Sequence, residues 1–147
     1  MTNQQILLVQ DSWKLVIPIK ETAGRLFYMR LFEETPALKL LFKGDASEQV
    51  KKLMTMLTVI VNNLSRLEQI VPAAKKLAVK HIDYGVEIAY YPKVGSALLW
   101  TLEQGLGEAW NEDLKSAWQT AYGTLSRVMI EAHQKAVNEL QSEKLEM

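Results

Sequence analysis

Four prolines divide this chain into segments whose apolar residues recur with the period of an α-helix. Proline suits the first turn of a helix, because its missing N–H has no helical partner there in any case. Three helices are therefore predicted to open at Thr35-Pro36, Val71-Pro72 and Tyr91-Pro92, and Pro18 is predicted to separate a first helix from a second. Since no segment shows strand alternation, the pattern predicts an all-α fold.

Glycines and capping residues mark the remaining helix ends. Gly105 and Gly107 are predicted to close the helix that Pro92 begins, and Asn111 is predicted to cap the last helix ahead of two acidic residues. The map has seven helices, at about 3–17, 19–34, 36–42, 47–65, 71–85, 92–106 and 111–140. A polar tail at 141–147 is expected to fray. With no repeat and no linker, the chain is predicted to form one domain over residues 1–147.

The amino-acid composition argues against several classes of binding partner and metal or catalytic site. Lys plus Arg and Asp plus Glu both total 17, so the net charge is zero and neither nucleic acid nor anionic lipid is an expected partner. The chain has no cysteine, which excludes disulfides, thiolate zinc sites and cysteine nucleophiles. No basic and apolar leader and no long apolar run are visible, so a cytoplasmic location without a membrane partner is expected.

Two polar residues interrupt apolar faces of the second and fourth predicted helices. Tyr28 lies near the middle of an apolar arc, and Gly24, four residues earlier, would let another helix cross close beside it. Gln49 lies on the apolar side of its helix, one turn before Leu53. Each also has a plain interpretation, a core tyrosine bonded to a backbone carbonyl and a glutamine that reaches solvent near a helix start.

His81 is surrounded on one face of the fifth predicted helix by apolar residues, which are Ile70, Ala74, Leu77 and Ala78. The other sides of this helix carry Lys75, Lys76, Lys80 and Asp83. The two alanines leave room in front of the imidazole for something bulky. A lone histidine on an apolar face is most often a core residue with satisfied ring nitrogens, so on the residues alone both interpretations stay open.

Other metal or catalytic sites find little support. The second histidine, His133, is far from His81 in sequence, and neither has a glutamate three residues before it, as a di-iron helical bundle requires. No serine lies in a nucleophile motif. The glycines at 105 and 107 follow a helix rather than a strand, so they do not form a dinucleotide-binding loop.

Taken together, these segments resemble a globin over nearly the whole chain. The second and third helices of bacterial single-domain globins, flavohaemoglobin haem domains and neuroglobin are similar to LFYMRLFEETPALKLLFKGD. The distal helix is similar to QVKKLMTMLTVIVNNLSRLEQ and the proximal helix to KKLAVKHIDYGV, and the 32 residues from Gln49 to His81 match neuroglobin without a gap. The last two helices are similar to YYPKVGSALLWTLEQGLGEAW and LKSAWQTAYGTL.

The resemblance implies a globin fold of about seven helices around haem b, iron protoporphyrin IX. It implies that His81 is the proximal iron ligand, that Phe42 packs on the porphyrin, and that Tyr28 and Gln49 form the distal pair beside an apolar Leu53. Further candidate haem contacts are Leu77, Val86, Tyr91, Val94 and Leu98, with Lys52 as a propionate partner and with Tyr122 and Trp118 as packing residues.

Two departures from these relatives affect the expected chemistry. Gln49 stands where neuroglobin has a distal histidine, so five-coordinate ferrous haem is expected. Flavohaemoglobins have a glutamate on the last helix that polarises the proximal histidine through a tyrosine; His133 matches that position, while Glu131 points elsewhere on the helix. The flavin and nicotinamide modules are also expected to be missing, so redox turnover would need an external reductase.

The implied function is reversible binding of O₂, CO, NO or another small ligand, for storage, supply or sequestration. The alternative is an enzyme that oxidises NO to nitrate or reduces nitrite with a separate reductase. Tyr28 with Gln49 resembles the distal pair of NO-detoxifying globins, while the missing reductase and glutamate favour simple binding. A third hypothesis, a haem-free regulatory globin, is disfavoured by the presence of both His81 and Phe42. No catalytic residue is assigned.

Overall fold

The computed structural model describes residues 1–42, 45–83 and 85–146 and confirms the all-α prediction, because these residues form helices and no strand. The α-helices in these ranges are α1 (Asn3–Val16), α2 (Lys20–Glu34), α3 (Ala46–Asn62), α4 (Leu67–Asp83), α5 (Tyr90–Leu106) and α6 (Glu112–Glu146). Short 3₁₀ helices lie at Ile17–Ile19, Pro36–Leu41, Leu64–Arg66 and Gly107–Ala109. None of the helices in the described ranges is long and apolar enough to cross a membrane.

Local sequence explains several helix ends. Thr2 Oγ1 accepts a hydrogen bond from the Gln5 backbone N–H (3.1 Å), while Gln5 Oε1 accepts one from the Thr2 N–H (3.0 Å), a reciprocal cap that begins α1. Asn111 caps α6 as predicted, since its Oδ1 accepts from the Leu114 N–H at 2.8 Å. Gly107 follows α5 with a φ of +54°, a left-handed conformation that stops the helix, as predicted.

The structure corrects the prediction at Pro72. Helix α4 begins at Leu67, so Pro72 lies inside it rather than in its first turn. Because Pro72 has no N–H, the helix loses one hydrogen bond, the one to the carbonyl of Glu68 near its start. Burial of the apolar residues around Pro72 outweighs that loss. Gly85, the predicted last residue of this helix, has a φ of +85° and lies outside it.

Two other predicted boundaries are wrong. The segment that Pro36 opens is a 3₁₀ helix, Pro36–Leu41, and not an α-helix. The tail predicted to fray after residue 140 continues α6 as far as Glu146, and residue 147 lies outside the described ranges. Most of that tail consists of Glu, Lys, Leu and Gln, which all have high helix propensity. This propensity keeps the segment helical although it is polar.

Within the described ranges, the buried apolar residues form two clusters. The larger one joins α1, α2, α3, α5 and α6 around Trp13, Leu31 and Leu102. The smaller one lies where α4, α5 and α6 meet, and consists of Ala74, Ala78, Tyr91 and Met129. Members of both clusters line a single cavity, so the two parts of the core face each other across it.

Two close helix crossings hold the walls of this cavity. A Cβ on Gly24 of α2 would lie 2.5 Å from Cγ1 of Val50 on α3, so the predicted close approach beside Gly24 is confirmed. A Cβ on Gly95 of α5 would lie 2.5 Å from Cε2 of Tyr122 on α6. Glycine at these two positions leaves room for the side chains of Val50 and Tyr122, which pack α2 against α3 and α5 against α6.

Tryptophans tie the N-terminal helix to the rest of the core. Trp13 Nε1 donates to Thr58 Oγ1 (3.0 Å), and Trp118 Nε1 donates to Ser12 Oγ (2.9 Å). The two indole rings lie 5.9 Å apart and are nearly fully buried. Both buried N–H groups are therefore satisfied, and Trp118 packs as the sequence predicted.

Candidate functional site

The cavity has a volume of about 550 Å³ and an almost entirely apolar wall. Helices α2 and α3 contribute phenylalanine, leucine, methionine and valine side chains to one side, and α4, α5 and α6 form the other. A space of this size falls within the range of small-molecule and cofactor sites. The few polar groups in the wall therefore decide what it can bind.

Most of the predicted site residues meet at this cavity. The wall includes Phe42, Leu53, Leu77, His81, Val86, Tyr91, Val94 and Leu98. They come from α3, α4, α5 and the segments between helices, and are brought together only by the fold. Phe42 is 38% exposed, and its ring centroid lies 5.3 Å from those of Tyr28 and Phe32, so it covers one edge of the cavity.

His81 projects into the cavity from the last turn of α4, between Ile70, Ala74 and Leu77 on one side and Tyr91 on the other. Its Nδ1 atom is buried and has no hydrogen-bond partner. Burial lowers the pKa of the imidazole below its ordinary value, and His133 lowers it further. His81 is therefore neutral near pH 7 and keeps a nitrogen lone pair for coordination. The Nδ1 nitrogen therefore lacks the hydrogen bond that the core-histidine interpretation expects.

Tyr91 stands between the two histidines. Its ring centroid lies 6.1 Å from that of His81 and 6.0 Å from that of His133, and its hydroxyl lies 3.4 Å from His133 Nδ1. His133 is only 5% exposed, and burial lowers its pKa. Tyr122, which the sequence suggested as packing alone, lines the cavity and donates its hydroxyl to the carbonyl of Tyr91.

Tyr28 and Gln49 are brought together beside the cavity rather than in its wall. Tyr28 Oη donates to the backbone carbonyl of Gln49 at 3.3 Å, which is the bond that the core-tyrosine interpretation expects. Burial raises the pKa of Tyr28 to about 12, so the phenol keeps its proton near neutral pH. Its ring contacts Phe27 and Phe42, which both line the cavity. The protonated hydroxyl of Tyr28 is therefore separated from the cavity by a single layer of side chains.

Lysines at the cavity differ from the one predicted. Lys52 is exposed on α3 and does not contribute to the wall, whereas Lys76 and Lys80 do so from α4 while also being exposed. Since both residues line the cavity and are exposed, they lie where it opens to solvent. The sequence does not separate them from Lys52, because all three lysines directly precede a residue of the cavity wall, Leu53, Leu77 or His81.

In the described part of the chain, the cavity wall contains one imidazole, that of His81, together with the phenols of Tyr90, Tyr91 and Tyr122. Among the described residues no group of three or more His, Cys, Asp or Glu side chains could hold a metal ion. A bare divalent ion takes most of its ligands from protein side chains. The arrangement instead fits a metal that arrives in an apolar chelate of its own and takes one further ligand from the chain.

Comparison with protein-family models matches residues 25–129 to the family described as Globin. Curated relatives include a neuroglobin of Danio rerio, 32% identical over 136 residues that cover 83% of this chain and 86% of the relative. They also include a flavohemoprotein of Bacillus subtilis (strain 168), 30% identical over 88% of this chain and 33% of the relative. The chain spans about a third of the length of the flavohemoproteins it matches.

Solved structures give the same grouping. A bacterial globin from Campylobacter jejuni has a TM-score of 0.83 at 27% identity and covers 93% of this chain and 99% of its own. An engineered carbene transferase from Rhodothermus marinus has a TM-score of 0.86 at 23% identity, with coverages of 96% and 99%. The second of these comparisons shows the fold alone.

Proposed function

The chain is a member of the globin family, and we propose that it holds haem b in the cavity through His81 and binds O₂ and other diatomic ligands reversibly. The observation that carries the proposal is the neutral imidazole of His81 in a cavity whose wall is mostly apolar. Porphyrin supplies four nitrogen ligands and an apolar body, and needs one axial ligand from the protein. Since the chain has no cysteine, the group would be held without thioether bonds.

The cavity also suits the two propionate carboxylates of a porphyrin. Protoporphyrin is a flat apolar ring with two carboxylates on one edge. The interior walls are aliphatic and aromatic, and Lys76 and Lys80 stand at the open edge. Propionates beside these two ammonium groups would remain near water, so neither charge has to be fully desolvated. We therefore assign the propionate contacts to Lys76 and Lys80 rather than to Lys52.

When bound, the haem supplies an iron centre with one open position for a diatomic ligand. His81 would hold the iron through Nε2, since its Nδ1 is buried. The apolar side chains of Leu53 and Leu57 exclude water from the opposite side. We assign Tyr28 and Gln49, which meet beside the cavity, as the pair that would donate to a ligand that accepts hydrogen bonds. In the structure the Tyr28 O–H donates to the Gln49 backbone carbonyl.

We expect ferrous haem in this protein to be five-coordinate. The second histidine, His133, contacts Tyr91 and is buried in α6, behind His81. No histidine is therefore placed to bind the iron from the side of Tyr28 and Gln49. A six-coordinate low-spin spectrum of the ligand-free ferrous protein would contradict this expectation.

The test is haem titration of the His81→Gly variant with imidazole rescue. We expect the variant to lose the five-coordinate ferrous spectrum, and free imidazole to restore it by filling the space of the missing side chain. His133→Ala serves as the matched control, since it removes the other histidine. If His81→Gly kept its native spectrum and His133→Ala lost it, the assignment would be wrong.

The second candidate function is oxidation of NO to nitrate by O₂, or reduction of nitrite, with electrons from a separate reductase. The placement of Tyr28 beside Gln49 favours it, as do relatives named flavohemoprotein. Stopped-flow mixing of the aerated ferrous protein with NO under a recycling reductant distinguishes the two. Sustained turnover would support the enzyme, and a single stoichiometric oxidation would support binding alone.

A further inference from the structure

The 17 basic and 17 acidic residues of the chain are unevenly distributed along it. Residues 39–80 contain eight lysines and arginines but three acidic residues, whereas residues 81–147 contain five and ten. Residues 1–38 contain four of each. The net charge of zero therefore conceals a basic segment, which includes α3 and most of α4.

This basic segment surrounds the opening of the cavity. In the described part of the chain, five residues both line the cavity and are exposed, and we call them the rim: Phe42, Val59, Ala73, Lys76 and Lys80. They come from the segment before α3, from α3 and from α4, so the cavity opens between these elements. None of the five is acidic.

Two more lysines extend the rim along its helices. Lys52 is exposed and lies seven residues, almost two turns, before Val59, so both are on the same side of α3. Lys75 is exposed and lies one turn before Val79, which is 46% exposed and three residues after Lys76. We call the rim together with Lys52, Lys75 and Val79 the basic face.

Carboxylates do not neutralise the basic face. The two ion pairs found among the described residues lie within α1 and within α2. Glu48 and Glu68 stand in the first turns of α3 and α4, where each stabilises the positive end of its helix dipole. With propionates at Lys76 and Lys80, as assigned above, the other lysines of the face would still be free to bind a partner.

Resting on the function proposed above, we propose that the basic face is the docking surface for an electron-donor protein whose own redox group is surrounded by carboxylates. Reversible O₂ binding and NO oxidation both require ferrous iron, so both candidate functions need such a donor. The donor loses one electron and ferric iron becomes ferrous, while no bond forms or breaks.

The position and chemistry of the face fit this partner. Electron transfer slows steeply with distance, so a donor has to bind where the haem would come nearest to solvent, which is the rim. Lysines around a few exposed apolar side chains give a small, weak and salt-sensitive interface, as transient redox pairs have. An anionic membrane or a nucleic acid would also attract the lysines, but neither supplies electrons.

The kinetic test uses reduced flavodoxin, an acidic one-electron carrier, as the probe. It is mixed by stopped flow with the ferric, haem-loaded protein under CO, and formation of the ferrous CO complex gives a second-order rate constant. We expect the double variant Lys52→Glu, Lys75→Glu to lower this constant by about tenfold at low ionic strength, because attraction becomes repulsion. Concentrated salt should remove most of the difference.

Two controls separate docking from a general change in the haem site. Lys20→Glu reverses an exposed lysine at the start of α2 that does not line the cavity, and it should change the rate constant much less. Reduced riboflavin, a small and uncharged reductant, should reduce the parent and all variants at the same rate. An equal loss for Lys20→Glu, or an equal loss with riboflavin, would overturn the proposal.

A binding measurement does not depend on electron transfer. When the CO-bound ferrous protein is titrated with oxidised flavodoxin, amide resonances of α3 and α4 should shift and those of α1 should not. Shifts centred elsewhere, or binding to phosphatidylglycerol vesicles or duplex DNA but not to flavodoxin, would overturn the proposal. Failure of the parent chain to take up haem would overturn the proposed function as well, whereas normal haem uptake with any of these negative results would overturn this inference alone.

Discussion

His133 is a buried histidine whose charged form is disfavoured by its surroundings. Burial lowers its pKa, and His81 shows the same direction for the same cause. Below the unfolded-state pKa of about 6.5 the unfolded chain binds more protons at these two positions than the folded chain. The free energy of unfolding should therefore be fully maintained above pH 6.5 and should decrease as the pH falls from there toward the lowered folded-state pKa values.

Urea unfolding of the parent protein and of His133→Gln at pH 7.5 and pH 5.5 checks this expectation. The glutamine cannot titrate, so the variant should lose less stability between the two pH values than the parent. Carboxylates contribute equally to both proteins and cancel in the comparison. An identical pH dependence in the two proteins would show that His133 titrates normally in the folded state.

Substitution of Tyr28 tests the side of the cavity that we assign to the bound ligand. Its phenol is protonated and lies beside the wall, so it can donate to O₂ held in the site. Tyr28→Phe removes only the hydroxyl and should raise the O₂ dissociation rate by about one to two decades, the kinetic equivalent of ~1.5–3 kcal/mol. CO accepts hydrogen bonds more weakly, so its dissociation should change much less.

Gln49→Leu should act in the same direction on O₂, and the double variant should be non-additive if both side chains serve one ligand. Equal changes for O₂ and CO would indicate steric gating by Tyr28. No change for either gas would mean that its bond to the Gln49 carbonyl is its whole role.

The sequence located apolar site residues better than charged ones. Leu77, Val94 and Leu98 follow from helical periodicity, because a residue one or two turns along a buried stripe stays on that stripe. Lys52 and Lys76 are both exposed lysines on amphipathic helices, and only the relative rotation of α3 and α4 decides which one reaches the cavity edge. That rotation is a tertiary property that helical periodicity does not encode.

At the scale of helices, the crossing of α2 and α3 depends on one missing methyl group. Gly24→Ala would place a Cβ 2.5 Å from Val50 Cγ1, so either the Val50 side chain or the two helices must shift. We expect an overpacking cost of about 1–3 kcal/mol in the free energy of unfolding, reduced by the better helix propensity of alanine. Urea denaturation measures the difference.

Gly123 of α6 provides the matched control, since nothing lies within 4 Å of a Cβ built there. Gly123→Ala should stabilise the protein by about 0.5–1 kcal/mol through backbone entropy alone. Adding Val50→Ala to Gly24→Ala should recover part of the loss and give a non-additive pair. Equal stabilities for Gly24→Ala and Gly123→Ala would contradict the close crossing.

Helix boundaries were predictable where a local bond sets them and not where packing sets them. The cap at Asn111 and the stop at Gly107 need only neighbouring residues, and both were found in the sequence. The start of α4 at Leu67 was missed because Pro72 dominates local rules, although its cost inside the helix is one hydrogen bond. Contacts of α4 with the preceding 3₁₀ helix, Leu64–Arg66, favour the earlier helix start, and a rule based on proline alone does not include them.

Among the described α-helices, α4 is the one whose buried apolar side chains are all small. Its fully buried side chains are Ala74 and Ala78, both small, while Ile70, Leu77 and His81 face the cavity. Haem bound there would join the two buried clusters that the cavity separates. In the haem-free protein we therefore expect α4 amides to exchange with deuterium faster than those of α1 and α5, and haem to slow them selectively.

Hydrogen exchange followed by mass spectrometry, with and without haem, makes this comparison. Helix α1 serves as the internal reference, because Trp13 anchors it in the larger cluster and none of its residues lines the cavity. Protection of α4 that is unchanged by haem would show that the cavity is not where haem binds.

Lys76 and Lys80 give the cavity a preferred direction of entry. Both lysines are exposed at the cavity, and most of its wall is apolar. We therefore expect haem to enter with the edge that lacks carboxylates first, so that its propionates stay near the lysines. The same two ammonium groups attract a dianion before contact, over a range set by the ionic strength. Loading should thus be fast in dilute buffer and slower in concentrated salt, while release, governed by the buried ring and His81, responds far less.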